Sequence, residues 1–304
     1  MNEISRYLTE EVVVDYADGL ISRREALNRL ALLGVAAATA MPLLAACDAK
    51  RDETSQPPPP SQPQSPADAS APAGPPALST EAITFPGADG RTLQGAWAKA
   101  QSPKGSVLVI HENRGLTDHI RSIAGRLAAS GFNAISIDLL SAEGGTAKFT
   151  DPAQATAALN AVPPARFIAD LKAGIDELLR RGTGTKVGVT GFCFGGGQSW
   201  ALLNAGEPRL RAAIPFYGSS PENPDFSKSP NAAVLGIYGE LDERINTTRE
   251  RAQAALAKAG LQHEMLTFPG ANHAFFNDTG QRYHAQAATQ AYQRAIDWFT
   301  RYLA

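Results

Sequence analysis

From about Glu81 to the C-terminus, short apolar runs alternate with longer stretches of helical periodicity. Ala82–Phe85 and Thr92–Lys99 flank Pro86-Gly87-Ala88-Asp89-Gly90, a pattern that predicts an opening hairpin. Gly105–Ile110 predicts the first buried parallel strand, Phe132–Asp138 the next, and Arg211–Tyr217, Ala233–Tyr238 and Glu264–Phe268 three more. Between them lie helical patterns. Ile120, Ile123, Ala124 and Leu127 share one face of a helix from about Thr117 to Ser130. Phe167, Ile168, Leu171, Ile175 and Leu178 do the same in Ala165–Arg181. Thr247–Ala259 and Gln281–Leu303 predict two further helices, the last closing the domain through Trp298, Phe299 and Leu303. Ser141–Asn160 reads as a small polar excursion at the border of a site, and Pro221–Pro230 as a turn-rich loop. Strand–helix alternation of this kind predicts an α/β domain with a mostly parallel central sheet and helices on both faces, a three-layer α/β/α sandwich.

The front of the chain breaks this pattern. Ser22-Arg23-Arg24-Glu25-Ala26-Leu27 precedes an apolar run, Leu30–Ala46, interrupted at Gly34, Thr39 and Pro42. Positive charge, then a short alanine-rich apolar core, then small residues is the order of an export signal. The arginine pair resembles a twin-arginine signal. Leu44-Ala45-Ala46-Cys47 resembles the lipobox of bacterial lipoproteins, which implies that Cys47 carries a lipid and becomes the mature N-terminus. An ordinary cleavage site, a retained anchor helix and a buried helix are the other readings of this segment. Met1–Leu20, ahead of it, is amphipathic and longer than such a leader needs. Asp48–Thr80 is rich in Pro, Ser, Gln and Ala, a composition that buries too little apolar surface to fold and makes a stiff spacer. The organisation expected is therefore an export signal over 1–47, a linker over 48–80 and a catalytic domain over 81–304, with the protein on the periplasmic or cell-surface side of a membrane and held there by its lipid.

The chemistry concentrates in Lys186–Ser199, KVGVTGFCFGGGQS. Val187 and Val189 alternate with small residues as a buried strand does. The chain then turns at Gly191-Phe192-Cys193-Phe194-Gly195 and continues as a helix. Strand, sharp turn and helix with a nucleophile at the apex is the cysteine form of a nucleophile elbow. Glycines at ±2 give the strained apex room. A helix N-terminus favours a thiolate, and the N–H of Phe194 is placed to stabilise an oxyanion. An inert thiol in a glycine-rich turn is the plainer reading. No Gly-Lys-Ser/Thr follows, which argues against a phosphate loop.

An elbow requires an acid and then a histidine later in the chain. Asp242 follows the strand Ala233–Tyr238, and His273 follows Glu264–Phe268, each just past a strand's C-terminal end, where open α/β sheets build their sites. Taken singly, Asp242 also fits a helix cap and His273 a surface histidine. The order and context of all three favour nucleophilic catalysis. Lys plus Arg number 28 against 30 Asp plus Glu, so no basic patch points to nucleic acid. Five His and two Cys show no metal-ligand spacing, so neither a metal nor an organic cofactor is expected.

His111-Glu112-Asn113-Arg114-Gly115, Gly191-Phe192-Cys193-Phe194-Gly195-Gly196, Pro215-Phe216-Tyr217-Gly218, Gly239-Glu240-Leu241-Asp242 and Asn272-His273-Ala274-Phe275 together resemble the dienelactone hydrolases, a cysteine branch of the α/β-hydrolases. The resemblance runs from about Ile83 to the C-terminus. It implies the α/β-hydrolase fold and hydrolysis of a small ester, lactone or thioester through Cys193, His273 and Asp242. It also implies that Glu112 contacts the resting thiol and helps to ionise it, and that the N–H of Asn113 is the second oxyanion donor. A cap or a salt bridge to Arg114 is the plainer role for Glu112, and His111 is expected to support its loop. Tyr217 and Phe275 are candidate pocket residues. In the family, an arginine four residues past the catalytic histidine clamps a substrate carboxylate. Here that position is Asn277, and Arg244 and Arg282 are the unassigned alternatives. The competing reading is a membrane-anchored scaffold that keeps the fold without the activity. The oligomeric state is left open.

Overall fold

The computed structural model describes residues 2–53, 71–182 and 186–304. Eight strands form one sheet: β1 (Glu81–Pro86), β2 (Thr92–Ala98), β3 (Gly105–Ile110), β4 (Phe132–Asp138), β5 (Val187–Phe192), β6 (Leu210–Phe216), β7 (Ala233–Gly239) and β8 (His263–Phe268). Their order is β1-β2-β4-β3-β5-β6-β7-β8. β1 and β2 pair antiparallel, β2 runs antiparallel to β4, and every pair from β4 through β3 to β8 is parallel. The central strands β4, β5 and β7 are buried along their whole length, as strands covered on both faces must be. This is the mostly parallel sheet that the alternation of strands and helices predicts, in the α/β-hydrolase arrangement that the resemblance implies.

Three helices come first in the chain: α1 (Glu3–Ala17), α2 (Arg23–Leu32) and α3 (Ala37–Glu53). Asn2 and Ser22 cap the first two through their side chains. The three bury a small core of their own from Val12, Tyr16, Ala26, Leu30, Val35, Ala40 and Leu44. The apolar run read as a signal core is thus split by the turn at Gly34 between α2 and α3. No helix among the described residues is long and apolar enough to cross a membrane.

The segment expected as a linker, 48–80, is described only at its ends. Residues 48–53 continue α3, and 54–70 lie outside the described residues. Residues 71–80 follow α4 (Asp118–Ala129). Arg126 donates to the carbonyl of Ala73 at 3.1 Å, and the Leu78 N–H donates to the carbonyl of Gly125 at 3.1 Å.

The polar excursion is more ordered than its composition predicts. It holds α5 (Pro152–Ala161), which starts at an Asp151 cap with Pro152 in the first turn. The remaining helices are α6 (Pro164–Arg181), α7 (Phe194–Ala205), α8 (Glu243–Asn246), α9 (Arg249–Lys258) and α10 (Ala285–Leu303). Helices α6 and α10 lay apolar faces on the sheet, with Phe167, Leu171, Ile175 and Leu178 buried from one and Trp298, Phe299 and Leu303 from the other. The predicted helix at 247–259 is α9, capped by Thr248 and Ala259, and the short α8 precedes it as a turn that the pattern does not predict.

Candidate active site

Cys193 stands between β5 and α7 with φ 57° and ψ −116°, the strained apex of a sharp turn. Its neighbours leave no room for side chains. A Cβ on Gly191 would sit 2.1 Å from the carbonyl oxygen of Gly195, and one on Gly195 would sit 2.4 Å from that of Ile110. The N–H of Cys193 donates to Phe216 on the adjacent strand at 3.1 Å, pinning the apex to the sheet. Phe194 is the first helical residue of α7, so its N–H has no partner within the helix and points from the site's floor. Its side chain packs away between His111 and Phe167.

The acid and the histidine come together because β7 and β8 are parallel neighbours whose loops leave side by side. The Leu241 N–H donates to the carbonyl of Ala271 at 2.9 Å, tying the two loops. Asp242 does two jobs. One oxygen caps α8 by accepting from the Ile245 N–H at 3.3 Å, and the other accepts from Nδ1 of His273 at 2.5 Å. Nε2 of His273 is thereby left to face Cys193, and these two residues and Glu11 place their ligand-type atoms within 4.8 Å of one another. Cys193, Asp242 and His273 therefore converge, as expected.

The ring of Tyr217 meets that of His273 edge-on at 5.2 Å, and Phe275 meets Tyr217 edge-on at 5.6 Å. Both are buried, and neither lines the cavity beside Cys193. Their place is behind the histidine, so the pocket role expected for them is not seen in this cavity. Among the described residues, three of the four non-glycine residues with positive φ, Cys193, Tyr217 and Ala274, cluster here. Strain of this kind concentrates at functional sites.

Glu112 and Asn113 follow β3. The fold supports their turn from below: Nδ1 of His111 donates to the Glu112 carbonyl at 2.6 Å, and Nε2 accepts from the Leu139 N–H at 3.1 Å. These partners fix the tautomer, and burial lowers the pKa of His111, so it is a neutral structural histidine. Thr156 of α5 donates to the carbonyl of Asn113 at 2.9 Å, anchoring the loop from its other side. The side-chain partner of Glu112 is Asn277, whose Nδ2 donates at 2.7 Å, rather than Arg114 or the thiol.

The carboxylate beside the thiol comes instead from α1, a contact for which the sequence carries no local signal. Glu11 Oε2 lies 3.9 Å from Cys193 Sγ, and Oε1 lies 3.3 Å from His273 Nε2. The hydroxyl of Tyr7 lies 3.0 Å from Sγ. Arg244 holds Glu11 at 2.6 Å and lies over the Tyr7 ring at 4.6 Å. Arg282 reaches Asp15 at 2.9 Å and Asp18 at 2.6 Å. Burial, and then the Glu11 charge, raise the thiol pKa of Cys193 above its usual value. Burial opposes charge on His273, but Glu11 and then Asp242 outweigh it and lift its pKa well above that of an ordinary histidine. Glu11, Cys193 and His273 are a chemically competent set of metal ligands. The charge of Glu11 is, however, already met by the Arg244 guanidinium at 2.6 Å.

A cavity of about 270 Å³ remains beside the thiol, bounded by Glu112, Asn113, Arg114, Asn277 and Arg282 on the sheet side and by α1 and α2 on the other.

The family model of the dienelactone hydrolases matches residues 93–303, the whole of this constellation except α1. The chain belongs to the dienelactone hydrolase family. It is a hydrolase of that family, and the matched region holds the elbow, the acid, the histidine and Glu112. A candidate carboxymethylenebutenolidase of Escherichia coli O157:H7 is 36% identical over 220 residues, covering 67% of this chain and 79% of the relative. One from Salmonella typhimurium is 34% identical over 239 residues, covering 72% and 87%. The crystal structure of a candidate dienelactone hydrolase from Klebsiella pneumoniae superposes with a TM-score of 0.63 at 31% identity, over 74% of this chain and 100% of that one.

Proposed function

We propose that the protein hydrolyses a small carboxylic ester, lactone or thioester through a Cys193–His273–Asp242 triad. The observation that carries this is the 2.5 Å bond from His273 Nδ1 to Asp242, which turns Nε2 toward the strained thiol at the elbow. His273 takes the proton from Cys193, and the thiolate attacks the carbonyl carbon. The oxyanion that develops lies against the N–H groups of Phe194 and Asn113. His273 returns the proton to the departing oxygen or sulfur, leaving a thioester on Cys193. Water, deprotonated by the same histidine, then attacks the thioester, releasing the acid and restoring the thiol. Glu112, next to this centre, assists ionisation of the thiol. Its carboxylate is oriented by Asn277, the residue that stands where the family's carboxylate-clamping arginine is expected. That replacement favours the general ester, lactone or thioester class over the carboxylated lactone that the relatives' names imply.

Incubation with aryl esters and lactones, followed by mass spectrometry, tests the reading. An acyl adduct on Cys193, absent from Cys193→Ala and persisting in His273→Ala without turnover, is expected. Turnover that survives Cys193→Ala overturns it.

We also propose that the chain is exported and lipidated at Cys47, on the strength of Ser22-Arg23-Arg24, the apolar run and Leu44-Ala45-Ala46-Cys47. Mass spectrometry of membrane-extracted protein should find a diacylglyceryl-modified Cys47 as the N-terminus. An intact leader on protein recovered outside the cytoplasm would sink this.

A further inference from the structure

Tyr7, Glu11, Asp15 and Asp18 recur at helical spacing and form one face of α1. That face is turned onto the reaction centre. Glu11 and Asp15 sit four apart, as do Tyr7 and Glu11, so a single straight helix reaches the thiol, the histidine and both arginines at once. We propose that α1 is an intramolecular inhibitor: Tyr7 and Glu11 occupy the reaction centre, and withdrawal of the N-terminal segment switches the hydrolase on. The proposal rests on the reading of Cys193 as nucleophile.

A carbonyl carbon has to come within roughly 3–3.5 Å of the sulfur before attack. The Tyr7 hydroxyl is already at 3.0 Å, and Cys193 is only 5% exposed. Nε2 of His273 is the nitrogen that must receive the thiol proton, since Nδ1 is committed to Asp242. A carboxylate against Nε2 favours imidazolium, so the base is loaded before any substrate arrives. The same carboxylate disfavours the thiolate. The closed arrangement therefore keeps the thiol protonated and leaves the histidine with no free site to accept that proton.

The docking is built to be reversible. Outside the apolar contacts of Tyr7 and Leu8 with the main core, α1 is held by ion pairs: Arg244 to Glu11, Arg282 to Asp15 and Asp18, and Arg6 to Glu222. It lies outside the residues the family model matches. The stretch 54–70 then joins the helical segment to the catalytic domain through a Pro-, Ser- and Gln-rich sequence. A cut there, or processing before Cys47, removes the covalent tether that keeps α1 at high local concentration.

The test uses the full chain. Iodoacetamide labelling of Cys193, read by mass spectrometry, is followed beside hydrolysis of short-chain aryl esters. It compares wild type, the double variant Tyr7→Ala/Glu11→Ala, and a chain with a specific protease site placed within 54–70. The double variant, and the cut chain on dilution, should be labelled and should turn over faster by roughly tenfold or more. A peptide spanning residues 2–20 added to the cut chain should restore slow labelling. If labelling accelerates while no form cleaves any ester, the blocking role stands and the hydrolase reading falls. If the double variant and the cut chain are labelled no faster than wild type, or turn over more slowly with melting temperature retained, α1 is a wall of the working pocket and the proposal is wrong.

Discussion

Nδ2 of Asn277, four residues past His273, donates to Oε2 of Glu112 across 2.7 Å. The other oxygen of that carboxylate is buried with no partner among the described residues. Asn277→Ala would leave Glu112 buried with neither oxygen bonded. Such a group costs about 1–3 kcal/mol, and more when charged. Asn277→Asp should be worse at neutral pH, because it sets a second carboxylate against the first. Thermal melts should rank wild type above Asn277→Ala above Asn277→Asp. An unchanged melting temperature in both variants would show that the bond carries no weight.

Asp242 both caps α8 and orients His273, and two substitutions separate those jobs. Asp242→Asn keeps an oxygen for the Ile245 N–H but loses the charge facing the imidazole. Its melting temperature should stay close to wild type while kcat falls by roughly 10³–10⁴. Asp242→Ala should lose the cap as well, at a further cost of about 1 kcal/mol. Equal melting temperatures for the two would remove the capping role, and retained kcat in Asp242→Asn would remove the catalytic one.

The elbow and its two partners are legible in the sequence because their signals are local: glycines at ±2 of Cys193, and single residues just past strand ends in a fixed chain order. Helix α5 was missed: Asp151-Pro152 is a start signal, but the alanine-rich, weakly amphipathic body behind it hides the helix, and the stretch reads as a polar excursion. The role of α1 was not legible either. The stripe Tyr7, Glu11, Asp15, Asp18 can be seen at helical spacing, yet its partners lie 182 and 233 residues away at Cys193 and Arg244, and no pattern within a window links them. For the same reason Tyr217 and Phe275 read as pocket residues. The edge-on contact that places Tyr217 behind His273 joins two separate strand ends. Glu112 could be singled out from its place after β3, and the structure sets it beside the cavity next to Cys193. Its partner could not be, since Asn277 looks in sequence like the loss of an arginine rather than the gain of a hydrogen bond.

The glycines of the elbow admit no side chain. Gly191→Ala would drive a Cβ to 2.1 Å from the Gly195 carbonyl oxygen, and Gly195→Ala would drive one to 2.4 Å from that of Ile110. Both obstacles are backbone, one in α7 and one at the end of β3, which cannot swing aside as a side chain can. Each variant should lose more than about 3 kcal/mol or fail to accumulate as folded protein. Gly260→Ala, on the surface with nothing within 4 Å of its Cβ, pays only for its positive φ of 69° and is the control. Urea denaturation of the three decides the matter, and a mild Gly191→Ala would contradict the close packing of the turn.

The closed centre also sets how stability depends on pH. Burial opposes the His273 imidazolium, but Glu11 and then Asp242 lift its pKa well above the ordinary value of 6.5. Burial, and then Glu11, lift that of the Cys193 thiol above 9.0. Burial, and then Cys193 and Glu11, raise that of Tyr7. All three groups hold protons more tightly folded than unfolded, so stability must fall as pH rises. The histidine contribution is fully present below its unfolded value of 6.5 and is lost as pH climbs through its folded value. The melting temperature of the full chain should therefore decline from about pH 6.5 upward, with the thiol and then the phenol steepening the loss above about pH 9. Glu11→Gln removes the largest favourable charge on the imidazolium, so its decline should be shallower between pH 6.5 and 9, with Asp242 left to hold the remainder. Scanning fluorimetry across that range compares the slopes, and parallel curves for wild type and Glu11→Gln would mean that Glu11 does not govern the protonation of His273.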